Sequence, residues 1–313
     1  MTKPSKHFLT NPIVVALLAS LACFLWGSAI PFIKTGYRQF QVASGDYASQ
    51  IFFAGFRFFL AGILAIGFGS IASKKLLLPK KTSWGNLAKL AITQTFFQYL
   101  FFYIGVANTN GVKSSIITGT GVFITLLIAC LFFKSEKMTG KKWFGCILGF
   151  IGLAMVNLQG SQGMDFSFTL LGDGFILTST VFSSIASVLL KKYAQSEHPV
   201  VLSGYQLTLG GIALILVGFL TGGKLQATTP WGYLTYFYLA FLSAAAFSIW
   251  GILLKRNDIS KVSVYKFSIP LFGVLLSTLM LEEQGNLFSV AILIPLVLIS
   301  FGVVIVNQKE KTH

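Results

Sequence analysis

Two cations stand inside long apolar runs of this chain, Arg57 and Lys266, and the chemistry they offer is recognition of an anion. An ionisable group at membrane depth is costly to hold, so each is read first as a candidate functional residue. Arg57 lies six residues into the apolar run 51–71, about 9 Å along a helix at 1.5 Å per residue. From there it can tie its helix to carbonyls of neighbouring segments, snorkel outward, or meet a solute. Lys266 precedes Pro270 by four residues. A proline at that spacing cannot donate to the Lys266 carbonyl, which leaves an acceptor beside the ammonium. A broken helix next to a charge suits an ion or solute site, with an inner-leaflet anchor as the competing reading. Lys89 and Asp173 lie within a turn of a segment end and are expected to reach the headgroups.

Neutral polar residues recur at helical spacing. Gln94 and Gln98 share a face, with Phe101 one turn on. An amide surrounded by hydrocarbon needs partners or water. Ser114, Thr118 and Gly121 form a small polar stripe, as do Ser179, Ser183 and Ser187 flanked by Thr180 and Ser184. Such stripes serve close helix packing or line a polar path. Trp26 and Trp250 sit deep in their segments and can stack on a solute or pack in the core. The candidate binding residues are therefore Trp26, Arg57, Gln94, Gln98, Thr118, Ser183, Trp250 and Lys266. No Asp or Glu lies near the middle of an apolar run, which favours a neutral, zwitterionic or anionic ligand over an organic cation. The competing readings, a cation or multidrug ligand held by aromatic faces and a lipid headgroup, remain open.

Enzyme chemistry finds no foothold. His7, His198 and His313 lie at the ends or in a loop, Cys23, Cys130 and Cys146 lie in apolar runs, and no metal-ligand spacing, phosphate loop or dinucleotide fingerprint occurs. No catalytic residue, metal or cofactor is expected.

The elements that must position these residues are membrane helices. The chain is 54% hydrophobic and 11% charged, with a mean hydropathy of +0.76. Its apolar runs are long enough to cross a hydrocarbon core of about 30 Å. Helices are predicted at 13–33, 51–71, 86–107, 114–133, 143–158, 170–190, 199–221, 231–254, 262–281 and 287–307. The first runs on to Ile33 without a small-residue cleavage site and reads as a span, not a leader. With the N-terminus inside, inner segments carry 17 Lys and Arg against 4 outside. That bias orients both termini to the cytoplasm of a plasma (inner) membrane. It also accounts for a net charge of +15 without any nucleic-acid partner. Trp84 and Trp231 begin their segments as interfacial anchors.

The pattern is written twice. Gly55-Phe56-Arg57 through Gly62-Ile63 recurs as Gly204-Tyr205-Gln206 through Gly211-Ile212; Trp84-Gly85-Asn86-Leu87 as Trp231-Gly232-Tyr233-Leu234; and Gly152 through Asn157 as Gly302 through Asn307. Offsets of 149, 147 and 150 residues divide the chain into halves, 1–158 and 159–313, of five segments each. An odd number of crossings inverts the second half. The expected fold is an all-α membrane protein of ten transmembrane helices in two inverted repeats of five.

The chain resembles the EamA-type members of the drug/metabolite transporter superfamily. The likeness rests on Trp26-Gly27-Ser28, Arg57-Phe58, Leu131 through Glu136, and Leu279 through Glu283 with Pro270 thirteen residues before Glu283. In the first half Phe123 stands where that pattern places proline, so the pattern expects no proline kink in helix four. The resemblance implies a permease, often an exporter, moving a small solute by alternating access. Its cavity would be lined mainly by helices one, three, four, six, eight and nine. Pro31, Pro270 and Pro295 are candidate hinges. Gly145 and Gly149 offer a small-residue face for dimerisation or internal packing, so a monomer or a homodimer is expected.

Overall fold

The computed structural model describes residues 8–133, 139–158, 168–257, 259–281 and 290–307, and these are almost wholly helical. α1 (Pro12–Gln39) begins where the Asn11 side chain accepts from the Ile13 N–H at 2.9 Å. α2 (Tyr47–Ser73) begins where Asp46 accepts from the Ser49 N–H at 3.0 Å and stops at Lys74 in the left-handed region. Such caps satisfy N–H groups that a helix start leaves free. α3 (Trp84–Leu90) runs through a π-helical stretch (Ala91–Phe97) into α4 (Gln98–Ala107). α5 (Gly111–Gly119) and α6 (Gly121–Leu131) are followed by α7 (Gly140–Leu158). A π-helical turn (Leu170–Gly174) leads into α8 (Phe175–Tyr193). α9 (Pro199–Leu220) and α10 (Pro230–Arg256) each start at a proline, whose missing N–H costs nothing there. α11 (Ile259–Ser263), a 3₁₀ turn (Val264–Phe267) and α12 (Ser268–Leu281) precede α13 (Val290–Asn307).

Six helical stretches among the described residues are long and apolar enough to cross a membrane. They are Pro12–Gln39, Tyr47–Ser73, Lys81–Ala107, Leu170–Tyr193, Pro199–Leu220 and Pro230–Arg256. Ile117–Leu131 is a shorter apolar helix. The molecule is an all-α integral membrane protein. α1 continues to Gln39, beyond the expected end at Ile33, so Lys34 and Arg38 sit on a helix and not in a loop.

Three interruptions shape the interior. Helix four breaks at Thr120 although no proline is present. The Thr120 hydroxyl and N–H both turn back to the Ile117 carbonyl, at 2.7 and 3.1 Å, which ends α5 from within. The π-helical stretch Ala91–Phe97 adds a residue to its turn and shifts the register of everything after it. The chain around Lys266 tightens to a 3₁₀ turn just before α12. Pro31 lies within a continuous α1. The side chains of Pro270, Pro295 and Cys146, the surroundings of Gly149, and all of Glu136, Glu282 and Glu283 lie outside the described residues.

α2 packs along α9, and α7 along α13. α1 lies against α10 and α12, while α8 lies against α4 and against α5 and α6. At Gly55, Gly62, Gly211 and Gly218 the α2–α9 contact brings backbone close to backbone. Gly55, Gly62 and Gly69 on α2 and Gly204, Gly211 and Gly218 on α9 each recur every seven residues. A Cβ on Gly55 would come 2.5 Å from the Ile215 nitrogen, one on Gly62 2.6 Å from the Thr208 nitrogen, and one on Gly218 2.7 Å from that of Phe52. Gly145 faces inward, since a Cβ on Gly302 of α13 would meet its carbonyl oxygen at 2.5 Å.

Glu197, in the turn between α8 and α9, ties that turn to residues 80–83. Its carboxylate accepts from the Lys80 N–H at 2.9 Å, the Ser83 hydroxyl at 2.7 Å and the His198 N–H at 2.8 Å. Desolvation pushes the Glu197 pKa upward, but the Ser83, Lys80 and His198 hydrogen bonds outweigh it and hold the group below the ordinary carboxylate range.

Two outcomes follow. Gly62→Leu should destabilise the detergent-solubilised protein by about 1–3 kcal/mol through overpacking against α9, read as a lower Tm. Because folding lowers the Glu197 pKa, its contribution is present above the unfolded value and fades as pH falls through the folded one. Glu197→Gln should therefore melt below the parent at pH 7, with the gap closing toward pH 3.

Candidate functional site

A cavity of about 860 Å³, including the part continuous with solvent, lies among the helices. All eight candidate residues border it: Trp26 from α1, Arg57 from α2, Gln94 from the π stretch, Gln98 from α4, Thr118 from α5, Ser183 from α8, Trp250 from α10, and Lys266 from the 3₁₀ turn. Helix two, through Arg57, joins the six helices expected around it. Ala29, Ile30, Tyr99, Phe102, Gly121, Phe247 and Ile269 complete the wall with Ser179, Thr180, Ser184 and Ser187.

At one side Lys266 donates to the Ser187 hydroxyl at 3.1 Å and stands 5.1 Å above the Trp250 ring. Trp250 packs edge-on against Trp26 with centroids 5.1 Å apart, and Trp26 likewise against Phe247 at 5.4 Å. The cation thus rests on an aromatic face and a hydroxyl, both neutral. Among the described residues, no Asp or Glu borders the cavity.

Arg57 is only 2% exposed, and each of its three side-chain nitrogens is hydrogen-bonded to protein. Its Nε donates to the Leu239 carbonyl at 3.0 Å, one terminal nitrogen donates to the Ser243 hydroxyl at 2.8 Å, and the other to the Tyr103 hydroxyl. The guanidinium also lies 4.8 Å from the Phe58 ring centroid and 5.8 Å from that of Tyr103. It joins α2 to α4 and α10. Gln206, at its place in the second half, is fully buried too.

Three residues that line the cavity each carry a buried polar atom with no protein partner. Gln94 Oε1, Gln98 Oε1 and Trp250 Nε1 are buried without a hydrogen bond. A buried polar group left unmatched implies water or a ligand at that position.

The hydroxyl stripe of α8 lies on the cavity as a whole, but most of its groups are satisfied locally. Ser187 donates to the Ser183 carbonyl at 3.0 Å, Ser184 to the Thr180 carbonyl at 2.8 Å, and Thr180 to the Ile176 carbonyl at 2.8 Å. Ser184 also reaches the Gly121 carbonyl at 3.2 Å, where the break in helix four brings α6 close. Thr118 returns to the Ser114 carbonyl at 2.8 Å, and Ser114 itself is buried away from the cavity.

Two expectations are corrected. Phe101 does not follow the glutamines into the cavity. It stacks on Phe182 with centroids 5.9 Å apart, and Tyr99 and Phe102 take the cavity side because the π stretch has rotated the register. Asp173 does not reach the headgroups. It is fully buried and paired with Lys113 at 2.7 Å, because the π-helical turn directs it toward the connection between α4 and α5.

The EamA-like transporter family model matches residues 13–158 and again 170–308. The chain belongs to the EamA-like transporter family. It is similar to the uncharacterized transporter YvbV of Bacillus subtilis (strain 168), at 26% identity over 95% of this chain and 93% of that one. It is also similar to a probable amino-acid metabolite efflux pump of Escherichia coli (strain K12), at 27% identity over 89% of this chain and 91% of the pump. A third relative is the chloroplastic WAT1-related protein At3g02690 of Arabidopsis thaliana, at 23% identity over 83% of this chain and 62% of that one. A solved crystal structure shares the fold, with a TM-score of 0.68 at 18% identity over 93% of this chain and 95% of that one.

Arg57→Lys keeps the charge but cannot reproduce the planar fork that spans Leu239, Ser243 and Tyr103. It should lower stability by about 2–4 kcal/mol, seen as loss of monodisperse protein and a lower Tm.

Proposed function

We infer that this EamA-family protein moves a small zwitterionic or anionic metabolite across the plasma membrane by alternating access, acting as an exporter. Ten helices in two inverted halves, with both termini cytoplasmic, would carry it. The two stretches matched by the family model support that architecture, as does the way α1 on α10 and α12 is answered by α8 on α4 and on α5 and α6. The charge bias of the loops supports the orientation.

The carrying observation is Lys266, an ammonium that meets the cavity with a hydroxyl and an aromatic face beside it, in a wall where the described residues include no carboxylate. Such a group favours a solute carboxylate or phosphate. The Gln94 and Gln98 amides border the same cavity, so a solute with a second polar group besides its anion would be matched at two places. Trp26, Phe102 and Phe247 supply the apolar remainder of the wall. An amino-acid-like metabolite has these features, and the E. coli relative is named for that class. An organic cation fits less well, since Lys266 already occupies the Trp250 face.

The test is a thermal-shift and binding screen of purified protein against amino acids, sugar phosphates and quaternary amines, with Lys266→Met in parallel. A ligand that binds only the folded state raises its Tm. A carboxylate-bearing ligand should bind, and Lys266→Met should weaken it about 10–100-fold, the value of one charge-assisted hydrogen bond. Stabilisation by quaternary amines alone, unchanged in Lys266→Met, would overturn the reading.

A further inference from the structure

Cations gather at the corner where the apolar spans of α2 and α10 end and that of α9 begins. The connection after α2 reads Lys74-Lys75-Leu76-Leu77-Leu78-Pro79-Lys80-Lys81, and α10 closes on Lys255-Arg256. The turn between α8 and α9 holds the two segments together. The Lys80 ammonium donates to the Ser196 carbonyl, and the Lys255 ammonium to the Glu197 carbonyl at 3.2 Å. The His198 pKa is lowered by desolvation and then by Lys255 and Lys75, so both ammoniums stand near its ring.

Little acid offsets these charges. Among the described residues Glu197 is the carboxylate of this corner, and its oxygens accept from neutral groups, the Lys80 N–H, the Ser83 hydroxyl and the His198 N–H. Even counting Asp258, two residues beyond Arg256 in the chain, two acids stand against six cations. Lys74, Lys75, Lys80, Lys81 and Arg256 are exposed.

The same connection carries an apolar edge. Leu77 is buried against Val200 and Val201. Its N–H donates to the Ser70 hydroxyl at 3.0 Å, and its carbonyl accepts from the Tyr205 hydroxyl at 3.4 Å. With Leu77 held inward, Leu76 and Leu78 turn outward, 69% and 63% exposed. Trp84 is also exposed and lies edge-on to Tyr205, with centroids 5.9 Å apart. Leucines and a tryptophan at the end of membrane spans meet acyl chains, while the lysines beside them reach the headgroup level. A soluble anion would use the cations and leave the outward leucines without a role. A charge bias that only sets orientation needs the lysines, but not their convergence from two connections on one turn.

We propose that this corner binds one anionic phospholipid, its phosphate met by Lys75, Lys80, Lys255 and Arg256 and its acyl chains lying along Leu76, Leu78 and Trp84. Each ammonium has three N–H donors, so the one carbonyl taken by Lys80 or by Lys255 leaves others for phosphate oxygens. The lipid ties the connection after α2, in the first stretch matched by the family model, to the α8–α9 turn and α10 in the second. It is a ligand apart from the transported solute, and the inference stands whatever the cavity carries.

The test is a thermal-shift titration of the purified full chain in nonionic detergent. The probes are phosphatidylglycerol, phosphatidylcholine of the same acyl chains, and soluble glycerol 3-phosphate. Phosphatidylglycerol should raise the Tm and saturate, and the other two should not. Lys75→Gln with Arg256→Gln, both at exposed positions, should melt with the parent in phosphatidylcholine and bind phosphatidylglycerol about tenfold or more weakly. Arg38→Gln with Lys224→Gln removes the same charge at other exposed positions and should leave that binding unchanged. Leu76→Ser with Leu78→Ser should weaken it, and Lys266→Met should not. No shift with phosphatidylglycerol would overturn the proposal. Equal stabilisation by glycerol 3-phosphate would make the corner a soluble-anion site, and equal losses in the two charge pairs would reduce it to general attraction; both overturn it. Loss of lipid binding in Lys266→Met would move the lipid into the cavity and overturn it as well.

Discussion

A guanidinium withdrawn from water must be met by acceptors that other helices carry, and Arg57 is where this chain meets that demand. Its three nitrogens reach a carbonyl and two hydroxyls on α4 and α10, while Phe58 and Tyr103 rings take up part of its charge. In hydrocarbon nothing else would serve, because lipid offers no hydrogen bonds to a group that drifts out of place. Three helices are fixed relative to one another by that requirement, and the cavity is the space left beside them. The Tyr37, Phe53 and Tyr236 rings close over the same node, with Tyr37 bonded to the Tyr103 carbonyl at 3.2 Å.

The two cations of the interior thereby take separate roles. Arg57 has its hydrogen bonds spent on holding helices together. Lys266 keeps one modest bond to Ser187 and a ring contact, and it sits on a 3₁₀ turn where the backbone is already irregular. A charge that holds structure must be satisfied in advance, whereas a charge that receives a solute is held loosely enough to change partners.

Much of this was legible in the residues. Hydropathy and the lysine distribution place the helical segments within a few residues at most ends, and the helical spacing of Gln94 with Gln98 and of Ser179 with Ser183 and Ser187 puts each set on one face. What sequence spacing missed has local physical causes. The π stretch adds a residue that a 3.6-residue period cannot anticipate, so Phe102 replaces Phe101. Thr120 ends a helix through its own hydroxyl, a break that a search for proline overlooks. Asp173 sits near a segment end by count, yet its partner Lys113 is 60 residues away in the chain and draws it inward. Tyr99 and Tyr103 were readable only as two aromatics among many, because what distinguishes them is their nearness to Arg57. The glycines seven residues apart on α2 and α9 did carry a readable signal, a face without side chains.

That bare face has a mechanical consequence. Where backbones touch with no side chains between them, sliding or tilting has no rotamers to absorb it, and a small displacement already brings peptide atoms into collision. α2 and α9 therefore behave as one stiff pair. Shape change has to be taken up by the helices that carry interruptions, helix four at Thr120, the π stretch before α4, and the turn before α12. The molecule divides into a part that keeps its form and a part that can bend, and the division runs along the residues that have no side chain at all.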